Sequence, residues 1–427
     1  MIHPSSPATD MRHHVVVVGG GFGGLQCIKS LRGPGIRITL IDQRNHHLFQ
    51  PLLYQAATTI LAPSEIAWPL RQLFRDREDV TTLLSTVTGV EPATRQVALE
   101  DGERISYDTL VLATGARHSY FGNDGWELHA PGLKTLEDAT AIRRKILFAF
   151  EAAEAARDPA LKQAHLTFAV IGAGPTGVEM AGIIADLAHR ILPREFRRID
   201  THRARVMLIE AGPKVLSAFS EDLSDYARAS LERLGVEVVL GTPVTQIDAD
   251  RVVMGDTQVP CRTVIWAAGV QASSAAEWIG APRDGAGRAE VAPDLSVPGR
   301  PEIFVIGDTA AVPDASGAPV PGIAPAAKQM GDYVGRLIAG RHAGAEAPPP
   351  FRYKHLGSMA TLGRRAAIAD FGKVTLKGRL AWWIWGVAHI FFLIGTRSRI
   401  SVALSWLWSF VTGQNSARII TTPKGSR

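Results

Sequence analysis

Hydrophobic residues gather along this chain in short unbroken runs more than in alternation. Residues 14–18, 36–41, 166–171 and 205–209 are each dominated by aliphatic side chains, and such runs predict strands buried on both faces, as in a parallel sheet covered by helices. The first and third runs break directly into glycine-rich turns, Gly19-Gly20-Gly21-Phe22-Gly23-Gly24 and Gly172-Ala173-Gly174-Pro175-Thr176-Gly177, with helical patterns starting near Leu25 and Val178. The second and fourth runs end in carboxylates, Asp42 and Glu210. The same strand, turn, helix and strand are written twice, which predicts an α/β chain with two doubly wound domains.

The turns carry chemistry as well as shape. In each, the first glycine permits the tight turn, the second lets a pyrophosphate approach the backbone, and the third lets the helix pack closely on the strand, with the phosphates at the helix N-terminus. A carboxylate at the end of the next strand is placed to accept hydrogen bonds from a ribose. Glu210 lies farther from its loop than is usual, because a basic, proline-containing segment at 189–203 intervenes. A carboxylate there repels a 2′-phosphate, so NADH is expected in preference to NADPH. The bland reading of either loop is a tight turn with no ligand; two loops together predict a protein that holds two dinucleotides and passes electrons between them.

Further strand-then-glycine patterns run through 105–116, 264–269 and 301–308, ending in Ala113-Thr114-Gly115, Gly269 and Gly307-Asp308. With these motifs in order over about three quarters of its length, the chain resembles the two-dinucleotide-binding flavoproteins, which have two Rossmann-like domains of the glutathione-reductase type. That resemblance implies FAD on the first loop, held by Gly19, Gly21, Phe22, Gly24, Asp42, Gln50, the Ala113-Thr114-Gly115 turn and Asp308. It implies NADH on the second, held by Gly172, Gly174, Thr176, Gly177, Glu210 and Gly269. The expected organisation is a disordered N-terminus at 1–12, a discontinuous FAD domain at 13–120 and 290–345, an inserted NADH domain at 121–289, and a C-terminal dimerisation and membrane-anchoring region at 346–427.

Composition narrows the class. The two cysteines, Cys27 and Cys261, are far apart, which argues against a redox disulfide beside a flavin, and no cysteine and histidine spacing suggests a metal. From Phe351 onward the chain carries twelve Lys and Arg against one acid, Asp370, so this tail holds +11 of a net +5 and leaves −6 for the rest. Five of the nine tryptophans, Trp382, Trp383, Trp385, Trp406 and Trp408, lie there too. Cations and indoles around apolar segments are the composition of a membrane interface. The apolar stretch 380–395 reaches only ~24 Å as a helix, short of a ~30 Å hydrocarbon core. The stretch 400–412 is two-faced, with Ile400, Leu404, Leu407 and Val411 on one side and Ser401, Ser405, Ser409 and Thr412 on the other. A pair of helices lying in the membrane surface is expected; the alternatives are a dimer interface or a packed core.

These features together resemble the type II NADH:quinone oxidoreductases. The stretch from Asn45 to Gln55, the segment Gly174-Pro175-Thr176-Gly177-Val178-Glu179 and the segment Ala324-Pro325-Ala326-Ala327-Lys328-Gln329 are similar to that family's flavin-side, NADH and quinone-site segments, although Pro325 stands where many members have glutamine. The resemblance implies hydride transfer from NADH to FAD, then two electrons to a membrane quinone without proton pumping. It implies Glu179 and Gln329 as catalytic residues and Ala326, Ala327 and Gln329 as quinone contacts. The structural alternatives are a carboxylate complementing a helix dipole for Glu179 and a backbone-capping amide for Gln329. A homodimer peripheral to the cytoplasmic face of the plasma membrane is expected. Two rival functions are a soluble NADH-dependent reductase of a ferredoxin-like protein and a non-enzymatic flavin redox sensor.

Overall fold

The computed structural model describes residues 11–415 and 417–420. The expected disordered N-terminus therefore lies outside the described residues, apart from Met11 and Arg12. Each fingerprint loop opens a helix: α1 is Phe22–Ser30 and α2 is Pro175–Asp186. Three longer helices or amphipathic helices lie toward the C-terminus, α3 at Ala324–His342, α4 at Arg379–Phe392 and α5 at Thr396–Thr412.

The chain divides into two compact units. The first comprises Met1–His47, Trp68–Arg117 and Val270–His355. Its six-stranded sheet runs Ser296–Val297, Arg300–Val305, Thr109–Leu112, His13–Val18, Ile36–Asp42 and Val80–Leu84 in spatial order. All pairs are parallel except the first. Val18 sits opposite Ile41 on one side and Leu112 on the other, so the Gly19 turn leaves the carboxyl end of the central strand. Val15, Val16 and Val17 are fully buried.

α1 and α3 pack together in this unit through missing side chains. A Cβ on Gly331 would overlap the Gly23 carbonyl oxygen, and one on Gly335 would overlap the carbonyl of Cys27.

The second unit comprises Leu48–Ala67, His118–Gly269 and Leu356–Arg427. Four parallel strands form its sheet, in the order Val236–Val239, Arg205–Ile209, Thr167–Ile171 and Thr263–Trp266. The basic segment that delays Glu210 continues α2 as a π-helical turn, Leu187–Ile191, and two 3-10 turns, Leu192–Arg194 and Thr201–Arg203. An antiparallel sheet of Ser358–Thr361, Ala367–Asp370 and Thr375–Gly378 comes later in the chain, packed on α2 and on α4.

The compact units do not divide the chain where the sequence reading does. Residues 270–289, expected in the NADH domain, and 346–355, expected in the C-terminal region, fall in the first unit; residues 48–67, expected in the flavin domain, pack in the second, where the helix Leu53–Ala57 lies on the helix Leu136–Ala155 and Tyr54 is buried against Thr361. The apolar Leu52-Leu53-Tyr54 run is buried there, and burial outweighs adjacency along the chain.

Gly335→Ala is expected to lower the melting temperature by several degrees, because the added methyl forces apart two buried helices at a cost of roughly 1–3 kcal/mol. An unchanged melting temperature at fixed scan rate would show that the α1–α3 contact is not tight.

Candidate active site

In the first unit the loop after the central strand is shaped for a nucleotide. Gly19 has φ +105°, and a side chain there would overlap the Ala113 carbonyl. A Cβ on Gly24 would overlap the Gly19 carbonyl, whereas one on Gly21 would meet nothing within 4 Å. The first and third glycines are thus required by packing, and the second leaves open space at the helix N-terminus where a pyrophosphate fits. Asp42 accepts hydrogen bonds from Gly20 N–H at 2.6 Å and Arg44 N–H at 2.7 Å, which pins the loop to the end of its strand. Phe22 stands edge-on to His47, with ring centroids 5.0 Å apart.

Gly115, at φ +70°, closes the neighbouring turn, and Thr114 Oγ1 lies 2.5 Å from Ser273 Oγ and 3.3 Å from Thr309 Oγ1. Asp308 makes no hydrogen bond among the described residues, leaving its carboxylate available to a hydroxylated ligand chain.

The second unit repeats this construction. Gly172 has φ +98° with its Cβ direction blocked by the Ala267-Ala268 backbone, Gly177 lies against the Gly172 carbonyl, and Gly174 faces open space. Glu210 accepts from Ala173 N–H at 2.7 Å and Gly212 N–H at 2.8 Å, the same two positions relative to loop and acid that Asp42 holds. Thr176 is half-buried in the first turn of α2. Gly269 accepts from Ser119 N–H at 3.1 Å and is closely approached by Phe121. Both cradles fit dinucleotides.

Glu179, on α2, is 8% exposed and its Oε1 accepts from Thr361 N–H at 3.3 Å. Burial without a countercharge pushes its pKa up to about 8, so it holds a proton at neutral pH. Tyr54 Oη lies 2.9 Å from Thr361 Oγ1 and accepts from Gln55 Nε2 at 3.0 Å, while Gln55 Oε1 accepts from Trp406 Nε1 at 2.6 Å. This polar line borders a pocket lined by Tyr54, Gln55, Ile183, Thr361, Arg364, Trp382, Trp385, Trp406 and Phe410. Trp385 is buried, stacked on His389 at 4.3 Å and tilted against Trp406 at 5.2 Å.

Sequence reasoning misses the pocket. Its only sequence signal is a tyrosine and a glutamine inside the apolar run 52–57, together with indoles at helical spacing.

Several residues singled out from sequence also have partners within the protein. Gln329 donates to the Lys354 carbonyl and accepts from Lys354 N–H, both at 2.9 Å, so its amide clamps backbone. Ala326 and Ala327 are buried in the first turns of α3. Pro325 sits at the start of that helix, where a missing N–H costs nothing, so the departure from glutamine leaves the helix intact. Gln50 lies in the second unit and donates to the Lys134 carbonyl at 3.1 Å.

His47 Nδ1 donates to the Gly20 carbonyl at 2.9 Å and His389 Nδ1 to that of Trp385 at 2.7 Å; burial lowers both pKa values to about 4, leaving neutral structural rings. Cys27 and Cys261 are free and buried, their thiols pushed up to about 12 and about 11 by desolvation. Neither is a ready thiolate.

Comparison with known proteins places these features. The family model for pyridine nucleotide-disulphide oxidoreductases matches residues 13–331, and one for the NDH2 C-terminal domain matches 355–415. The type II NADH:quinone oxidoreductase Ndh of Mycobacterium tuberculosis is 44% identical over 424 residues, which cover 96% of this chain and 90% of the relative. The chain belongs to the type II NADH:quinone oxidoreductases. A second such enzyme of the same organism, NdhA, is 42% identical over 96% of this chain and 90% of its own length. The fold is shared with NDH2 of Plasmodium falciparum, solved in complex with NADH, at a TM-score of 0.88 and 20% identity over 96% of this chain and all of that one. The disulfide in the broader family's description has no counterpart in this chain, whose cysteines lie buried in separate units.

Glu179 makes stability depend on pH. Its folded pKa is raised above the ordinary carboxyl value, so between about 4.5 and about 8 the folded state binds a proton that the unfolded state lacks, and stability falls as pH rises through that window. Glu179→Gln removes the titration. Relative to the parent, the variant is expected to gain stability steadily from pH 5 to pH 8, by on the order of a few kcal/mol, read as a widening difference in melting temperature. A constant difference would place the Glu179 pKa in the ordinary range.

Proposed function

We propose that this chain is a FAD-dependent, non-proton-pumping NADH:quinone oxidoreductase. The supporting observation is the apolar, tryptophan-lined pocket bordered by Tyr54, Gln55 and Thr361, in the same unit as the second dinucleotide loop and beside a glutamic acid held neutral by burial. The overall reaction is NADH plus one proton plus quinone giving NAD⁺ and quinol. When bound, FAD supplies the two-electron carrier between the two substrates.

The protein's part is to bind, orient and supply a proton. Gly19, Gly21 and Gly24, with Asp42, Thr114 and Asp308, hold the FAD, and Gly172, Gly174 and Gly177, with Glu210, hold the NADH. Glu179 keeps a proton at neutral pH for the reduced quinone, and the Thr361 amide holds that carboxyl in place. The Tyr54 hydroxyl and Gln55 amide give polar direction to a pocket otherwise made of indoles and aliphatic groups. We assign quinone contact to these pocket residues in preference to Gln329, whose amide is occupied by Lys354.

The membrane is the quinone's source, and α4 and α5 are the docking surface. No helix among the described residues is long and apolar enough to cross a membrane. On α5, Ile400, Leu404, Leu407 and Val411 are 56–73% exposed, while Ser401 and Ser405 each donate to Glu65 Oε1 at 2.7 Å and Ser409 is buried. The helix is inside out for a water-soluble protein: its serines face the protein and its aliphatic side faces away. Leu380, Trp383, Val387 and Phe391 of α4 are exposed as well. An interfacial helix in the plane of a bilayer has this distribution. Peripheral attachment to the cytoplasmic face and a homodimer complete the proposal.

The flavin-loaded protein is expected to oxidise NADH with a short-chain ubiquinone analogue as acceptor. Turnover with a ferredoxin but not the quinone would favour the soluble reductase, and turnover with neither would favour a sensor. The double variant Leu404→Glu, Leu407→Glu should lower the membrane-bound fraction at least ~10-fold, since each leucine contributes roughly 1.5–3 kcal/mol of burial, while NADH oxidation by ferricyanide persists. Retained sedimentation with membranes would overturn the assignment of α5.

A further inference from the structure

Beside the second dinucleotide loop stands an exposed phenyl ring on a strained backbone. Phe121 has φ +52°, in the left-handed region that residues with a bulky side chain rarely adopt, and it is 68% exposed. Such a residue persists where its surroundings hold it, and here they do. Ser119 N–H donates to the Gly269 carbonyl at 3.1 Å, Trp266 Nε1 donates to the Ser119 carbonyl at 2.9 Å, and Asn123 Nδ2 donates to the Tyr120 carbonyl at 3.3 Å. These bonds sew the turn to the end of the strand Thr263–Trp266, with the Phe121 and Trp266 ring centroids 6.1 Å apart. One exposed phenyl on a protein surface is ordinary. This one is held against backbone strain, and a Cβ on Gly269 would lie 2.7 Å from its Cζ, so glycine there is what leaves the ring its place.

Strand order decides what the ring faces. The strand Thr167–Ile171, which ends in the loop, lies between Arg205–Ile209 and Thr263–Trp266. Glu210 follows the first of these neighbours and Ala267-Ala268-Gly269 the second. Both meet the loop: Glu210 accepts from Ala173 N–H at 2.7 Å, and Ala267 N–H donates to the Ile171 carbonyl at 2.7 Å. A dinucleotide with its pyrophosphate at the start of α2 and its adenosine ribose on Glu210 carries its other half across the loop in the opposite direction, toward Gly269. That half is the nicotinamide riboside. Ligands of such sheets lie beyond the carboxyl ends of the strands, which is where Phe121 stands.

We propose that Phe121 is a binding residue for the nicotinamide riboside half of NADH, with the turn at 119–123 holding its ring in position before the dinucleotide arrives. This rests on the assignment of NADH to the second loop and adds a contact for the half of the ligand that Glu210 does not reach. Gly269 then serves twice. Its carbonyl anchors Ser119, and its lack of a side chain gives ring and ligand room. An aromatic side chain that is already ordered adds apolar contact without losing rotamer freedom on binding.

The test is the affinity of the oxidised, flavin-loaded protein for NAD⁺ and for ADP, measured by isothermal titration calorimetry. NAD⁺ carries the nicotinamide riboside and does not reduce the flavin, whereas ADP lacks that half. Phe121→Asn removes the ring and places in the turn a residue that accepts left-handed backbone. It should weaken NAD⁺ binding about five-fold and raise the KM for NADH with ferricyanide to match, while ADP binding stays within about two-fold. Unchanged ADP binding also shows that the unit is folded. Phe121→Tyr keeps the ring and should bind both ligands as the parent does, and Glu210→Ala should weaken both. Unchanged NAD⁺ affinity in Phe121→Asn would overturn the proposal. Equal loss of NAD⁺ and ADP would also overturn it, because the turn would then support the loop as a whole. If Glu210→Ala leaves both affinities at the parent's values, the assignment of NADH to the second loop fails and the proposal fails with it.

Discussion

The constraint on which this structure depends is the contact between a helix and the turn that precedes it. Gly24 and Gly177 let their helices rest on the carbonyls of Gly19 and Gly172, and a single methyl at either place would lift the helix off its strand. Because the contact is made, Gly21 and Gly174 face open space at a helix N-terminus, and Asp42 and Glu210 reach the loop amides next to the first glycine. Ligand cradle, helix position and acid position are thus one geometry. It occurs in both units with corresponding partners, which is why two different dinucleotides can be held by one construction.

How much of this is legible in the sequence depends on the range of each interaction. The loops, their acids and the two sheets are local, since strand, turn and helix lie within about thirty residues, and glycine spacing reports them directly. The pocket is not local. Tyr54, Ile183, Thr361 and Trp406 come from four separate stretches, and nothing along the chain announces that Thr361 will hold Glu179. Gln329 shows a different limit: a glutamine in a matching segment reads as a ligand contact, and nothing along the chain announces that its amide will also meet a backbone twenty-five residues on. Adjacency places residues 48–67 with the flavin domain, but their apolar side chains find their burial in the other unit.

α5 shows a further limit of pattern reading. A two-faced helix predicts which residues share a side, and it says nothing about which side faces the protein. Here Glu65, the Thr59 and Asn415 pair, and Gln55 offer hydrogen bonds to the serine and indole side, so the polar face turns inward and the leucines outward. Satisfying buried polar groups and leaving aliphatic groups exposed is unfavourable in water, and it becomes favourable once a bilayer replaces the water.

The buried thiols bear on chemical endurance. A flavoprotein that handles electrons in the presence of oxygen works among peroxides, and a cysteine is attacked through its thiolate. With both thiols held at about 11 or above, almost none of either is ionised at neutral pH. The chain therefore offers oxidants and alkylating reagents that act through a thiolate little to react with.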